Sequence, residues 1–546
     1  MNPRFYLPIL LFLYCLLRAP LLLSPLDGVL MEISRGAIVQ EIIHGLRLPF
    51  LDYSVDMYGI GSLVASVWTV PFFLIFGENW FAFKLAPFAW YFFAIIAWYG
   101  VWKIAFDSKR AFLISLFFIF PPPNVIQYSL ANIGYHFEMI LWVALSILLF
   151  HKILEGKLSE IWGGLLLGVL GGFSSAAVLT NLVTVAVILF YLFLYRGGPI
   201  RKGIFLGWYF VGFVIGFSPF LLLNASYNWG GIRFTEYVFS NFAVVREWIR
   251  HIGFLLTTGL PTLFGFHEGR ASIWGWAALI FSGMYLLSLL HLAVHFFKNN
   301  FFKKQGLQLE AFGFLFQTFL LTLLVLANRG DHDHYLFSLV PFFGMNLLLL
   351  NQAVGKKTIG FISVFWFGIS LMGHWNLVSW ENFGASLVMP GYSKEEGLTW
   401  TLEDKFGFDL KLFHEKSQIL LEGEDDKFKI FFYGNLTKDF FKINSEEDLQ
   451  KALIFISGVE PQFHSILFEK FGIGLGPYCQ FEAQALEELC EKYQIPMETR
   501  HVIYPGFIQA LNWSSRFQSE RFAKAEMICK GLEKMVCTRG LSLLDP

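Results

Sequence analysis

The stretch FYLPILLFLYCLLRAPLLL, residues 5–23, carries a single charge, Arg18, in nineteen residues. Backbone placed in hydrocarbon must satisfy its own hydrogen bonds, and about 20 apolar residues in a helix match the bilayer thickness. A run of this kind therefore folds as a helix in or against a membrane. The pattern recurs near 58–76, 84–106, 111–129, 135–151, 161–178, 180–195, 203–224, 273–297, 309–327, 335–351 and 358–377. With 55% hydrophobic and only 15% charged residues, the chain is too apolar for a soluble domain, and the class is an all-α polytopic membrane protein. A net charge of −1 gives nucleic acid nothing to bind. The 64 phenylalanines follow from facing lipid. The first run reads as a retained helix rather than a cleaved signal, because no small-residue cleavage site follows it and Arg18 lies inside it.

Past residue 378 the character changes, as in KEEGLTWTLEDKFGFDLKLFHEKSQILLEGEDDKFK. This divides the chain into a membrane module, 1–380, and a soluble domain, 381–546, of mixed α/β or α-rich type. In the second part QFEAQALEELCEKY (480–493) and RFQSERFAKAEMICKGLEKMV (516–536) read as helices. FKIFFYGNL (428–436) and ALIFISG (452–458) read as strands. Cys479, Cys490, Cys529 and Cys537 all fall there, an even set that permits disulfides outside the cytoplasm or four free thiols.

Lysine and arginine orient the spans. KIAFDSKR (103–110), HKILEGK (151–157), RGGPIRK (196–202), KNNFFKK (298–304) and GKK (355–357) all fall inside if 58–76 lies at the membrane surface or re-enters instead of crossing. The expectation is about eleven spans with the N-terminus inside and residues 381–546 outside. A long first outer loop then begins at residue 24. It holds an amphipathic surface helix, EISRGAIVQEIIHGL, closed by Gly45.

Carboxylates gather on that outer side. Asp27 and Glu32 flank the start of the surface helix, where negative charge is favoured and where helix capping alone would account for them. Glu138, in NIGYHFE (132–138), sits at the hydrocarbon edge. A carboxylate at the bilayer centre costs at least ~2.5–3.5 kcal/mol, so an acid near it has a partner or a task. His136 stands beside it. The loop NRGDHDHYLFSLVPFF (328–343) brings Arg329, His332, His334 and Tyr335 to the same side, in a spacing that fits no tight zinc motif. The long, charged loop 225–272 reads as a lid or substrate-lining segment.

On these residues the chain resembles the GT-C class of membrane glycosyltransferases. The resemblance lies in an acidic start to a long first outer loop, a helix ending at Gly45, a second surface helix ending FG, the acid Glu138, and HYLFSLVP, similar to a Y-L-x-P-x-x-P segment. It covers roughly residues 1–380 and points to bacterial relatives of the dolichyl-phosphate-mannose protein mannosyltransferases and of the lipid A aminoarabinose transferase. It implies a bacterial inner-membrane enzyme, a polyprenyl-phosphate-sugar donor, and a lipid, glycan or protein acceptor. Glu32, or Asp27 as alternate, would be the catalytic base, with Glu138 the second acid. The family carries an adjacent D-E pair where this chain has M-E at 31–32 and a separate Asp27. Asp56 and Glu138 match acids that help hold a divalent metal ion in the family, and no other cofactor is implied.

The chemistry fits such a role. A hydroxyl attacking an anomeric carbon needs a carboxylate to take its proton, and the leaving phosphate needs positive charge. Arg329, His332, His334 and Arg35 are the candidates for the phosphate, with His136 and Tyr335 lining the substrate. No P-loop or G-x-G-x-x-G motif is placed for a nucleotide. A transporter or flippase should instead show inverted repeats and broken helices near the midplane. A non-catalytic scaffold would leave the first-loop acids without a role.

Overall fold

The computed structural model describes residues 2–24, 30–54, 59–134, 137–196, 200–226, 229, 245–265, 273–298, 307–327, 329, 333–354, 356–378, 394–407, 409–437, 440–513, 521–529 and 542. The chain divides into two units, Met1–Arg35 with Asp56–Tyr392, and Gly36–Val55 with Ser393–Pro546. The regular elements described in both are helices.

The first ten helices are α1 (Tyr6–Leu23), α2 (Leu30–His44), α3 (Gly61–Phe76), α4 (Trp80–Ala105), α5 (Ser108–Ile119), α6 (Pro123–Tyr128), α7 (Met139–Leu154), α8 (Glu160–Ala177), α9 (Leu182–Leu194) and α10 (Lys202–Ser226). Then come α11 (Val245–Phe254), α12 (Leu260–Phe264), α13 (Ile273–Lys298), α14 (Leu309–Leu326), α15 (Val340–Val354) and α16 (Lys356–Leu377). Among the described residues six helices are long and apolar enough to cross a membrane: Pro3–Leu23, Trp80–Ala105, Glu160–Ala177, Lys202–Ser226, Gly275–Lys298 and Leu309–Leu326. The chain is an integral, multi-pass membrane protein.

Four further apolar helices have only 10–17 residues, so the expected count of about eleven full spans is not what the described residues show. Local chemistry interrupts several of the apolar runs. Pro121, Pro122 and Pro123 lack the N–H groups a helix needs, and the run 111–129 breaks into α5 and α6 there. The run 180–195 begins with a 3-10 turn, Leu179–Asn181, and 335–351 with another, Asp333–Leu339. The start of α5 is fixed by Asp107, whose carboxylate accepts from Lys109 N at 3.0 Å and Arg110 N at 2.9 Å.

Helices α8 and α10 meet along glycines. A Cβ on Gly168 would sit 2.2 Å from Tyr209 O, one on Gly172 2.2 Å from Phe213 O, and one on Gly212 2.2 Å from Leu165 O. Small residues four apart let two backbones touch, which is how helices associate where lipid removes the hydrophobic drive. The outward face of α10 presents Phe210 and Leu222, 67% and 61% exposed, as a lipid-facing surface requires.

The first-loop helix α2 ends where expected, with Gly45 at φ +117° and its N–H on Glu41 O. It is not amphipathic. Glu32, Ser34, Arg35 and Glu41 are as buried as Ala37, Ile38 and Val39. Periodicity marked the apolar stripe and could not show that polar residues on the other faces are covered too. The described part of the loop 225–272 is helical, and its end is pinned to α6 by Asn124 Nδ2 on Thr262 O at 3.1 Å.

The second unit holds α17 (Lys394–Phe406), α18 (Leu410–Leu421), α19 (Asp426–Gly434), α20 (Glu446–Gly458), α21 (His464–Tyr478), α22 (Ala483–Lys492), α23 (Met497–Gln509) and α24 (Arg521–Cys529). The two segments read as strands are α19 and α20. Asp425 caps the first through Phe428 N at 2.7 Å and Ser445 caps the second through Asp448 N at 3.2 Å. Buried Leu449, Ala452, Phe455 and Ile456 recur at helical spacing. The core is aromatic: Phe440 lies 4.7 Å from Phe413 and 4.8 Å from Phe441, ring centre to ring centre. Cys479 and Cys490 are free thiols that burial pushes up to about 11 and about 12, so they stay protonated. Cys529 is disulfide-bonded, and Cys537 lies outside the described residues.

Residues 36–55 belong to this second unit through charge. Glu41, 1% exposed, accepts from Arg47 Nη2 at 2.7 Å and Tyr53 Oη at 2.6 Å, and pairs with Lys394 Nζ at 2.9 Å. Arg47 also reaches Glu424 at 2.7 Å, and Lys416 binds Asp52 at 2.7 Å. Burial alone would raise the Glu41 pKa. The hydrogen bonds from Arg47, Tyr53 and Lys394 outweigh it and hold the carboxyl below its usual range.

Candidate functional site

The site forms around three consecutive residues, Asn132, Ile133 and Gly134, between α6 and α7. Glu32 lies in the first turn of α2 and accepts the Asn132 N–H on Oε1 at 2.9 Å. Arg35, three residues on and so on the same helix face, donates Nε to Ile133 O at 3.0 Å and Nη1 to Ser34 Oγ at 2.8 Å. Glu138, just ahead of α7, turns back and accepts the Gly134 N–H on Oε1 at 3.1 Å. One short backbone stretch is thus gripped by two carboxylates and one guanidinium. All three side chains are buried, with Glu32 7%, Arg35 0% and Glu138 9% exposed.

Helix α3 supplies the other wall. Asn132 Nδ2 donates to Thr69 Oγ1 at 2.6 Å, and Ser66 Oγ donates to Arg35 O at 3.3 Å. Gly134 has φ +80°, and a Cβ on it would lie 2.5 Å from Gly61 O. Only glycine meets both demands. Trp90 Nε1 donates to Glu138 O at 3.3 Å, which anchors that residue from α4. The 3-10 turn Asp333–Leu339 packs on the same region, where Phe337 lies 4.6 Å from Tyr128 and 5.5 Å from Phe137.

A glutamate that accepts backbone N–H bonds is stabilised in its ionised form. The site therefore combines buried, oriented carboxylates with an adjacent guanidinium. That is the equipment for drawing a proton from a hydroxyl beside a charged group.

The structure brings together Glu32, Arg35 and Glu138 from the residues singled out in the sequence. Tyr335 lies half-buried on the turn whose Phe337 touches this region. Arg329 follows α14, its N–H on Leu324 O at 2.9 Å. Asp27, Asp56, His136 and His332 lie outside the described residues, as does the side chain of His334. Among the described residues no three His, Cys, Asp or Glu side chains are grouped to hold a metal ion.

Sequence reasoning passed over the residues that lock this stretch, Asn132, Thr69 and Gly134, and two buried cations. Lys84 on α4 donates to Ser24 O at 2.5 Å. Arg18 on α1 donates Nε to Ser129 Oγ at 3.2 Å and contacts His374 on α16. The signal for Arg18 was present, since a charge inside an apolar run is a functional hypothesis by default.

No protein-family model matches the chain, and no curated protein matches it in sequence. Among solved structures it is similar to the oligosaccharyltransferase of Archaeoglobus fulgidus in the apo form, at 13% identity and a TM-score of 0.41. It is also similar to the archaeal oligosaccharyltransferase AglB of the same organism in complex with an inhibitory peptide and a dolichol-phosphate, at 13% identity and a TM-score of 0.37. Each match covers 76% of this chain and 59% of the other, so the chain spans about three-fifths of the length of the structures it matches.

Proposed function

We propose that the chain is a membrane glycosyltransferase that moves a sugar from a polyprenyl-phosphate-linked donor to a hydroxyl-bearing acceptor, with a carboxylate as base. The observation that carries this reading is the convergence of Glu32 and Glu138 on the stretch 132–134. Two helix caps would have no reason to share one buried loop between α6 and α7.

The residues act as follows. The acceptor O–H gives its proton to Glu32, with Asp27 the alternate, and the oxygen attacks the anomeric carbon. The bond from that carbon to the phosphate oxygen breaks, and its electron pair leaves with the lipid phosphate. No acid is needed on the leaving side, because the phosphate departs as a stable anion; it needs a cation instead. Arg35 grips the same backbone stretch as the carboxylates, and Arg329, His332 and His334 are further candidates. Glu138 and Asp56 are the residues a divalent ion would use, and no step depends on one. His136 and Tyr335 would border the sugar. The reading places the reaction at the outer face of a bacterial inner membrane, with residues 381–546 on that side, a hexose or pentose as the sugar, and a lipid, glycan or protein as acceptor.

The test is transfer of labelled sugar from a polyprenyl-phosphate donor by the full chain in lipid nanodiscs. Glu32→Gln keeps size and one acceptor oxygen and removes the base. Its kcat should fall by about 10²–10⁴, with thermal stability little changed. Wild-type activity surviving in Glu32→Gln, Asp27→Asn and Glu138→Gln alike would exclude carboxylate-assisted transfer. Movement of the donor across the bilayer without cleavage would favour the flippase reading.

A further inference from the structure

Arg18 lies in a spanning helix, five residues before its end, and is 0% exposed. Its contacts are neutral: Ser129 Oγ, the His374 ring and the Tyr14 ring, whose centre is 5.6 Å from the guanidinium carbon. Among the described residues no carboxylate pairs with it, and Nη2 has no hydrogen-bond partner. His374 cannot share the charge. Its Nδ1 faces Ser370 O at 2.8 Å, and a carbonyl only accepts, so Nδ1 carries the proton and Nε2 turns its lone pair to Arg18. A guanidinium does not deprotonate in proteins. The protein therefore holds a full positive charge in its apolar interior with a donor left over, whereas buried charges are ordinarily paired. Glu41, equally deep in the second unit, has three partners.

We propose that Arg18 anchors an anion-binding site in the membrane unit, that the anion is the phosphate head of a lipid, and that His374 fills the place the phosphate takes. A guanidinium grips phosphate oxygens in pairs, which suits a side chain with an idle N–H edge. The position favours a lipid over a soluble anion. Leu16, two residues away, is 58% exposed on the lipid-facing side of the same helix, so a chain can stay in hydrocarbon while its head turns inward. Ser129, the hydroxyl beside Arg18, is three residues from Asn132, whose N–H holds Glu32. Three residues span at most ~11 Å, so the Arg18 guanidinium and the loop that holds the carboxylates lie in one neighbourhood of the membrane unit. The anion site stands on the buried charge alone; calling its phosphate that of the sugar donor rests on the glycosyl-transfer reading.

The experiment measures thermal unfolding of the full chain in nanodiscs of neutral lipid with farnesyl phosphate, farnesol or inorganic phosphate. A ligand that binds only the folded state raises Tm. Farnesyl phosphate should raise it and farnesol should not. Arg18→Met should abolish the shift and leave the ligand-free Tm unchanged or higher, because removing an uncompensated buried charge relieves the fold. Arg18→Lys keeps the charge without the paired geometry and should bind at least tenfold more weakly. His374→Ala should retain the shift. The proposal is overturned if farnesol acts as well as farnesyl phosphate, or if Arg18→Met responds like wild type. It is equally overturned if Arg18→Met unfolds without ligand, which would make Arg18 a fastener between helices. Inorganic phosphate acting alone at equal concentration would sink the lipid assignment. Binding as expected with no sugar transfer would keep the anion site and remove the glycosyl-transfer reading.

Discussion

Gly134 shows what single residues decide in this protein. Its φ of +80° and its contact with the Gly61 backbone let the stretch 132–134 pass close to α3, which puts two N–H groups in front of Glu32 and Glu138. An added methyl would meet both a strained backbone and a carbonyl oxygen. Gly134→Ala should cost about 1–3 kcal/mol and show as a lower Tm, with activity falling further than stability because the carboxylates lose their register. An alanine variant with wild-type Tm and turnover would mean that the close approach is incidental. The sequence singled out Glu32 and Glu138 as acids expected on one side of a membrane. That they share one loop was not, because a hundred residues separate Glu32 from its partner Asn132, and hydropathy carries no information on pairing over that distance.

Among the elements, α8 and α10 are joined by the absence of side chains. Gly168→Leu would drive carbon into Tyr209 O, so the helices must separate, and the loss should be at least about 2–3 kcal/mol. Gly207 on α10 faces open space, with no atom of the described residues within 4 Å of where a methyl would sit. Gly207→Ala should therefore be neutral or stabilising by up to about 1 kcal/mol. Thermal unfolding of both variants in the same detergent checks the contrast; equal effects would show that glycine content, not contact, matters there. The helix α2 carries the opposite lesson. Its span from Leu30 to His44 and its stop at Gly45 follow from spacing and from one left-handed residue. Its covered polar face does not, because burial of Glu32 and Arg35 depends on which backbone arrives beside them. The segments at 428–436 and 452–458 were misread as strands for a related reason. Phenylalanine and isoleucine favour strands, and the caps Asp425 and Ser445 outweighed that preference.

For the whole molecule, the ion cluster around Glu41 ties an early segment to the second unit over more than three hundred residues of sequence, through Arg47, Lys394 and Glu424. Glu41→Gln should destabilise that unit by about 3 kcal/mol, since it leaves buried cations short of a partner. The pH response has a definite sign. The folded pKa of Glu41 lies below its unfolded value of about 4.3. Its stabilising contribution is therefore complete above that value and is lost as pH falls through the folded pKa. The protection of residues 36–54 against hydrogen exchange, taken relative to the intrinsic rate at each pH, should fall on acidification from neutral pH to about pH 3 in wild type, and much less so in Glu41→Gln, where the contribution is already gone. Equal pH dependence in the two proteins would assign the effect to other groups.

The sequence by itself determined that the chain enters a membrane, that the helix of residues 30–44 stops at Gly45, and that acids collect in the stretch after the first apolar run. These are local matters, set by hydrocarbon, backbone hydrogen bonding and the dihedral limits of individual residues. Tertiary structure decided which acids meet, how the segment 36–55 is held, and that Arg18 is buried beside His374 without a counter-charge among the described residues. Those outcomes depend on contacts between residues far apart in the chain, whose energies exist only once the helices have packed.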